Sequence, residues 1–429
     1  MQTRKPFWFA LIVVLISILI TWYLSTYSPF QNSMNIFLRL STMGILLIII
    51  NAVWTYISVR KLTVNRNQRL KRMQVGHVFE EGFEIINPIR LSRLWVEVDD
   101  LSDLPGRSGS KVLSGIGGNK NRYYYARTIL TRRGSFNLGP TKLRSGDPFG
   151  MFLSEKTIPN EKHLLVLPHI IKINKFYNPS GYIQGGKSIR QKSLEATSFA
   201  SGVREYQSGD PLNRIHWKSS AKRNKFMVKE FDQDPQADIW IVIDGYEENN
   251  FEDIEKEETQ FADTFWAIKK KSPFKLPKST FEYAVSCAAS LSSFYILEEK
   301  NVGLMCADNV LTVLPPEKGS RQEGKLLETM AFLQGKGSKQ INEIIESSGN
   351  QIMRGSTVVI ITSAPIPEIQ LCIEILLRRR LKPIIIHINK ESFMRSVEGT
   401  EKKQFSFNIT GVLINYGDDI SSSLESIVN

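Results

Sequence analysis

Acidic residues are absent from the first 72 of the 429 positions. Nine lysines and arginines lie in that stretch, whereas the rest of the chain has 46 basic and 43 acidic residues and so carries only three net positive charges. The overall charge of +12 is therefore mostly a local property. This removes the usual reason to predict nucleic-acid binding from a basic chain, and no nucleic-acid partner is expected.

Cysteine and histidine are scarce and scattered. The three cysteines show neither a Cys-x-x-Cys pair nor a metal-ligand spacing, and no serine nucleophile elbow is visible. His216 is better interpreted as a helix-surface residue than as a catalytic base. The sequence therefore predicts reduced, buried, cytosolic thiols, no cofactor and no catalytic residues. The cysteines are Cys287, Cys306 and Cys372.

Two apolar runs predict a transmembrane hairpin over residues 1–60, with spans at about 7–27 and 36–59. Each run approaches the ~20 residues that cross a bilayer, and aromatic residues lie near the ends of both. A cleaved signal peptide is the alternative, but the second span follows at once and no small-x-small site follows Leu24. Basic residues flank the hairpin on its outer ends. The positive-inside rule therefore places both termini and the soluble domains in the cytoplasm, in a multi-pass protein of the cell membrane.

Three soluble segments follow the hairpin. Residues 61–74 form a basic juxtamembrane linker, which either sets the topology or contacts anionic lipid. Residues 75–170 contain short alternating strands and turn sequences, which predict a small all-β sandwich. Residues 171–235 form a linker with a distinctive motif, discussed below.

Residues 236–429 have a different pattern, in which apolar strands alternate with helices. Such alternation predicts a doubly wound α/β domain with a mostly parallel sheet. An insertion at 246–278 follows its first strand and is acidic in its first half and basic in its second. Blocks of like charge usually form a solvated or disordered loop, and contact with a partner is the alternative.

The motif Arg204–Lys218 is the most specific feature of the chain. Asp210 stands at an expected N-cap and Pro211 at the first position of a helix predicted over 211–223, which a strand at 226–232 follows. The simplest interpretation is a structural helix start packed beneath Tyr206 and Trp217. The basic residues of this region predict either a solvated face or a docking surface for an acidic partner or a phosphate. They are Arg214, Lys218, Lys222, Arg223, Lys225 and Lys229.

Residues 181–188 match the phosphate-binding loop pattern. Asp244, after an apolar strand, could supply the metal partner of such a loop. A phosphate loop must join a buried strand to a helix, and neither is evident beside 181–188. A nucleotide-binding enzyme that uses 181–188 therefore stands as an alternative function.

The motif resembles the signature of the domain of unknown function 58 family. Upstream segments at 133–140 and 147–152 also resemble that family. The resemblance implies a membrane hairpin, a β domain and a von Willebrand A-like domain. It also implies an adaptor role beside MoxR-type AAA+ ATPases in the assembly or maturation of other proteins. The signature residues, structural or partner-binding, are Arg204, Glu205, Tyr206, Gly209, Asp210, Arg214 and Trp217.

One position departs from the metal-binding von Willebrand A pattern. That pattern places Asp-x-Ser-x-Ser after the first strand, whereas this chain reads Asp244-Gly-Tyr-Glu-Glu248, without either serine. The site is therefore predicted to be degenerate, with Asp244 alone remaining. We expect a non-enzymatic, membrane-anchored protein that binds other proteins. A metal-dependent adhesion-type domain is the second alternative.

Overall fold

The computed structural model describes residues 1–27, 31–159, 162–177, 200–207, 210, 212, 215–231, 238–253, 274–348, 351–395 and 409–428. The chain divides into two compact units. The first comprises Met1–Pro168 and Ile254–Pro277, and the second His169–Asp253 and Lys278–Asn429.

The first unit begins with the two predicted apolar helices, α1 (Lys5–Tyr27) and α2 (Gln31–Val59). Within them, 22-residue and 26-residue stretches are long and apolar enough to cross a membrane, at Lys5–Thr26 and Met34–Val59. The helices pack against each other, and α2 also contacts the β strands that follow it.

The buried face of this hairpin is built mainly from small and polar residues. A Cβ placed on Gly44 would lie 2.5 Å from Cγ2 of Val14, so the two helices approach closely there. Ser17 and Asn51 donate side-chain hydrogen bonds to carbonyls four residues earlier, at 2.9 and 2.8 Å. Most of the large apolar side chains are exposed, although Val14 and Val59 are buried. The small and polar members of the buried face are Ala10, Ser17, Thr21, Ser41, Gly44, Asn51, Thr55 and Ser58.

The rest of the first unit is made of strands in three sheets. One sheet has the order β1-β10-β9-β5-β6, the second β2-β4-β7 and the third β3-β11-β8. All pairings are antiparallel except that of β3 with β11. The strands are β1 (Gln2–Thr3), β2 (Thr63–Gln68), β3 (Arg72–Gln74), β4 (Val78–Asn87), β5 (Arg93–Asp100), β6 (Lys111–Ile116), β7 (Lys120–Ile129), β8 (Gly134–Leu138), β9 (Thr141–Gly146), β10 (Phe152–Ile158) and β11 (Lys162–Leu167).

Two of these strands lie where the sequence predicts a linker. Residues 63–74 alternate too little in hydrophobicity to predict strands, but Val64 is buried in the same cluster as Phe83 and Val98. Arg66 points into this core and forms ion pairs with Glu81 and Asp100 at 2.6 and 2.9 Å. Its side chain is fully buried, so Arg66 cannot contact lipid headgroups.

The second unit is built on a six-stranded sheet of order β16-β15-β14-β17-β18-β19. Only β16 runs antiparallel to its neighbour. The six strands of this sheet are β14 (Ile239–Ile243), β15 (Val302–Ala307), β16 (Leu311–Glu317), β17 (Thr357–Thr362), β18 (Lys382–Ile388) and β19 (Gly411–Ile414). Two further strands, β12 (Ala200–Glu205) and β13 (Met227–Phe231), form a separate two-stranded sheet. The helices are α3 (Trp217–Arg223), α4 (Thr280–Leu297), α5 (Ser320–Phe332), α6 (Ile341–Ser348), α7 (Ile366–Arg378), α8 (Lys390–Arg395) and α9 (Ile420–Glu425).

Helices cover both faces of this sheet. Trp240 and Val242 share a buried cluster with Ile345 of α6 and Leu376 of α7. Because side chains alternate along a strand, Ile241 must face the other side, where α4 contacts β14 and β17. The central strands are buried on both faces, which explains why their sequences are continuous apolar runs.

Candidate functional site

The motif region folds as strand, helix and strand. β12 pairs antiparallel with β13, with Arg204 opposite Val228, and α3 lies between them in the chain. The predicted strand at 226–232 corresponds to β13. We call β12, α3 and β13 with their connections the signature hairpin.

The helix of the signature hairpin begins later than the sequence suggests. The prediction of one helix over 211–223 was wrong, because Ile215 forms a β-bridge with Val228 and α3 begins at Trp217, with His216 as its N-cap. Nδ1 of His216 accepts a hydrogen bond from the backbone N–H of Ser219 at 3.2 Å. Pro211 itself lies outside the described residues.

The Asp210 carboxylate binds groups at the end of β12. The Arg204 guanidinium donates to both carboxylate oxygens, at 2.6 and 2.7 Å, and the backbone N–H of Gln207 donates at 2.9 Å. A bidentate contact of this kind fixes both groups in one plane. It holds the segment after β12 against that strand, which is a structural role for these two motif residues. Two other motif residues, Gly209 and Arg214, lie outside the described residues.

The aromatic side chains of the hairpin are largely exposed. Trp217 is 66% exposed, and its ring meets that of Phe226 edge-on at 6.4 Å. Tyr206 makes a similar contact with Phe226 at 6.4 Å. The expectation that Trp217 covers a packed helix start was therefore wrong. Leu212 is also exposed, and adjoining exposed apolar groups mark interaction sites more often than isolated ones do.

Exposed basic residues flank these aromatic rings. Asn224 takes a left-handed conformation (φ 54°) that ends α3 and turns the chain into β13. Lys225 forms an ion pair with Glu205 at 3.0 Å, but both side chains are well exposed and the pair contributes little stability. We define the basic–aromatic surface as Trp217, Phe226, Lys218, Lys222, Arg223, Lys225 and Lys229, all of which are exposed.

Asp244 lies at the second candidate site, at the carboxyl ends of β14 and β17. These are the strands at which the order of the sheet reverses, where ligands bind in open α/β sheets. The carboxylate is 2% exposed and accepts hydrogen bonds from the Thr362 hydroxyl at 2.6 Å and from the Asn249 amide at 3.0 Å. The backbone N–H of Tyr246 donates at 3.0 Å. Burial raises the pKa of Asp244, against the lowering effect of these three bonds.

The donor set around Asp244 does not suit a cation. Asn249 presents an amide N–H to the carboxylate, in the position where a metal ion would need a free oxygen lone pair. Ser363 is turned away and donates to the carbonyl of Asn249 at 2.7 Å. Among the described residues, no group of three His, Cys, Asp or Glu side chains is arranged to hold a metal ion.

Asn249 was missed by sequence reasoning because it lies in the insertion assigned to a solvated loop. Residues 247–249 instead form a 3-10 turn, and Asn249 is buried. Asp253, within the insertion, forms an ion pair at 2.6 Å with Lys278, the last residue of the insertion. Thr362 was easier to find, since it ends the strand parallel to β14.

The remaining sequence candidates are the phosphate-loop match and the cysteines. The phosphate-loop match at 181–188 lies outside the described residues. All three cysteines are buried, and burial raises the pKa of the Cys287 and Cys372 thiols to about 12. Thiols of that kind are not nucleophiles at neutral pH.

Comparison with known proteins gives one family and one curated relative. A family model described as "Protein of unknown function DUF58" matches residues 202–268, which include most of the signature hairpin. The uncharacterized protein YeaD of Bacillus subtilis (strain 168) is 27% identical over 126 residues. That match covers 28% of this chain and 31% of YeaD, so it spans less than a third of the relative's length.

Two solved structures show only weak likeness. A complex of zinc 2-glycoprotein with prolactin inducible protein from human seminal plasma has a TM-score of 0.19 at 8% identity, over 24% of this chain and 92% of that one. An inactive mutant of a GH20 exo-β-N-acetylglucosaminidase from Vibrio harveyi has a TM-score of 0.17 at 8% identity, over 77% of this chain and 57% of that one. Scores this low carry no information on fold or function.

Proposed function

We propose that this chain, whose residues 202–268 match the family described as "Protein of unknown function DUF58", is a membrane-anchored adaptor that binds another protein through its basic–aromatic surface. The observation that carries this proposal is the exposure of Trp217 and Phe226 beside five exposed basic side chains. Exposed tryptophan at the centre of a polar, charged rim is the usual composition of a protein-binding hot spot.

The helical hairpin supports the membrane anchor. A pair of helices in water buries its large apolar residues, whereas most of the fully buried side chains of this pair are serine, threonine and asparagine, and most of its leucines and isoleucines are exposed. In lipid that arrangement is favourable, because small residues allow close helix packing and apolar residues face acyl chains. The basic residues outside the hairpin favour cytoplasmic soluble units.

The sheet of the second unit supports a von Willebrand A-like fold. Its six strands follow the order 3-2-1-4-5-6 along the chain, with an antiparallel third strand at the edge. Helices cover both faces. Such a domain presents binding surfaces without needing catalytic groups, which suits an adaptor.

One feature argues against both alternative functions. A metal-dependent adhesion site needs open oxygen ligands, and at Asp244 the Asn249 amide donates to the carboxylate instead. A nucleotide-binding enzyme would need a phosphate loop at 181–188 with Asp244 as metal ligand, and the same amide disfavours that role. Binding of Mg²⁺ or ATP to the full chain that is lost in Asp244→Ala would restore these alternatives.

The partner must carry an acidic, partly apolar surface to match these side chains. We take it to be a MoxR-type AAA+ ATPase, as the family resemblance implies. Client proteins in assembly or maturation would then reach the ATPase through this adaptor.

The experiment is affinity purification of the full chain from its native membranes, with charge-reversal variants. Lys222→Glu with Arg223→Glu places two negative charges on the basic–aromatic surface and should weaken capture of an AAA+ ATPase by at least about tenfold, or ~1.4 kcal/mol. The matched control is Lys318→Glu with Arg321→Glu, which reverses two exposed charges elsewhere in the same unit. Equal capture by both double variants would contradict the proposed surface.

A further inference from the structure

A tight turn in the first unit, Asp147–Gly150, joins β9 to β10 and presents two apolar residues at its tip. The Asp147 carboxylate is 2% exposed and accepts hydrogen bonds from the backbone N–H groups of Phe149, Met151 and Phe152, at 3.0, 3.0 and 2.6 Å. One backbone donor of the turn and two directly after it are therefore satisfied by its own carboxylate. Phe149 is nevertheless 59% exposed. We call this segment the Phe149 turn.

The Phe149 turn lies beside the apolar helix α2. Together they enclose a groove of about 350 Å³ whose lining is almost entirely apolar. Met43, Leu46, Ile50 and Trp54 form the helical wall, at the spacing of one helix face. Asn51 also lines the groove, and its side-chain amide already donates to the carbonyl of Leu47 at 2.8 Å. The groove therefore offers contacts to a hydrocarbon and few to a polar ligand.

The turn also lies at the basic end of the helical hairpin. The backbone N–H of Arg4 donates to the carbonyl of Met151 at 2.9 Å, and β1 pairs with β10 directly after the turn. The Phe7 ring packs on Phe152 at 5.2 Å. Arg4 and Lys5 are exposed at the start of α1, as is Arg60 after the end of α2. Cations at one end of an apolar hairpin mark the level of anionic headgroups.

Helix geometry gives the depth of the groove. The apolar stretch Met34–Val59 rises about 39 Å at ~1.5 Å per residue, against a hydrocarbon core of about 30 Å. Ile50 and Trp54 precede Val59 by about 14 and 8 Å of helix rise. If the core is centred on the stretch, both residues lie below the boundary between headgroups and acyl chains. The tip of the Phe149 turn reaches the same level, because it lines the groove with them.

We propose that the Phe149 turn inserts into the cytoplasmic leaflet of the membrane and that a phospholipid acyl chain fills the groove between Phe149 and α2. The proposal rests on the membrane anchor argued above. Irregular backbone is costly in a membrane because unpaired N–H groups lose their water. The buried Asp147 carboxylate removes that cost for three of these groups, so the turn can enter the leaflet without a partner strand.

Lipid is the occupant that the surroundings favour. The groove opens onto the outward-facing apolar residues of α2, which the hairpin leaves for acyl chains. A protein segment there would have to replace lipid along the same helix face. The groove is thus a continuation of the lipid-facing surface.

The test places an environment-sensitive fluorophore on single cysteines of the full chain in phospholipid vesicles that contain quencher-bearing lipids. The native cysteines are buried, so the label goes to the introduced thiol. Phe149→Cys is compared with Ile49→Cys, on the outward face of α2, and with Leu70→Cys. Leu70 is exposed just beyond the end of β2, about 17 Å of strand rise from Thr63 near the helix end.

We expect lipid quenching at positions 149 and 49 to exceed that at position 70 several-fold. Quenching at 49 but not at 149 would overturn the inserted turn while leaving the membrane hairpin intact. Absence of quenching at both positions would contradict the hairpin and, with it, the turn.

A second measurement uses the chain without any substitution, in case Phe149→Cys disturbs the turn. Vesicles with a photoreactive group near the middle of the acyl chain are irradiated, and the labelled peptides are identified by mass spectrometry. We expect adducts on the peptide that contains Phe149 as well as on α2. Adducts on α2 alone would overturn the proposal.

Discussion

Single buried charges show most clearly how this sequence uses its polar residues. Arg66 lies in the basic stretch that suggests lipid contact, but its guanidinium lies fully buried over the Phe83 ring, with Glu81 and Asp100 as ion-pair partners. Asp244 has no cationic partner among the described residues and accepts hydrogen bonds from three neutral donors. One buried charge is compensated by opposite charge, and the other by hydrogen bonds alone.

Removal of Arg66 should be costly for the first unit. Arg66→Ala leaves two buried carboxylates without their cation, which typically costs about 3–5 kcal/mol. The control is Arg127→Ala, which breaks the exposed pair with Glu80 and should cost less than about 1 kcal/mol. Denaturant unfolding of both variants in detergent, followed by hydrogen exchange in β2 and β4, measures the difference. If both variants lost the same unfolding free energy, the buried ion pairs of Arg66 would stabilise the first unit no more than the exposed pair of Arg127 does.

The raised pKa of Asp244 predicts a dependence of stability on pH. Burial makes the folded protein hold the proton to a higher pH than the unfolded chain, whose pKa is near 3.8. The contribution to unfolding free energy is therefore greatest below that value, falls as pH rises toward the folded pKa, and stays low above it. Asp244→Asn removes this slope.

Hydrogen exchange of the β14 peptide in the full chain, measured from pH 4 to pH 8, checks this prediction. The stability of the wild type relative to Asp244→Asn should fall as pH rises, since only the wild type has a carboxyl to ionise. If the stability difference between the wild type and Asp244→Asn stayed constant from pH 4 to pH 8, the raised pKa of Asp244 would be contradicted.

Helices and strands can be predicted from local sequence where all of their residues are buried. They cannot be predicted where contacts with residues distant in sequence determine the structure. The strands β14 and β17 are apolar throughout because both faces are covered, so they could be predicted from composition alone. The start of α3 could not, because Ile215 pairs with the distant Val228 and the helix begins only after it, at Trp217. Strand β2 could not be predicted either, because all of its residues except Val64 are polar. Val64 and Arg66 both point into the core, one apolar and one ion-paired.

Close packing of α1 and α2 depends on Gly44. In Gly44→Val, the new side chain would collide with Val14, since even a Cβ would come within 2.5 Å of it. Over-packing of this kind typically costs about 1–3 kcal/mol. The control, Leu46→Val, changes an outward-facing residue and should be nearly neutral.

Thermal aggregation of detergent-solubilised protein compares the two variants. Gly44→Val should aggregate at a lower temperature than the wild type, and Leu46→Val at an unchanged one. If Gly44→Val matched the wild type, the helices would not approach as closely as the structure places them.

At the scale of the whole molecule, the charged insertion has contacts at both of its ends. The Asn249 side-chain amide donates a hydrogen bond to the Asp244 carboxylate in the second unit. Phe274, near the other end, packs beside Val75 and Phe79 in the first unit, to which Ile254–Pro277 belongs. The sequence indicates only runs of like charge here, because single buried residues within such runs leave no periodic signal.

The central claim is that the exposed basic–aromatic surface of a membrane-anchored chain binds another protein. It is tested most directly by placing a photoreactive phenylalanine analogue at Trp217 in living cells and at exposed Phe332 of the same unit as a control. We predict a covalent adduct with an AAA+ ATPase from position 217 only, lost when Lys222→Glu and Arg223→Glu are added. No adduct from position 217, or equal adducts from 217 and 332 that survive the charge reversals, would contradict the claim.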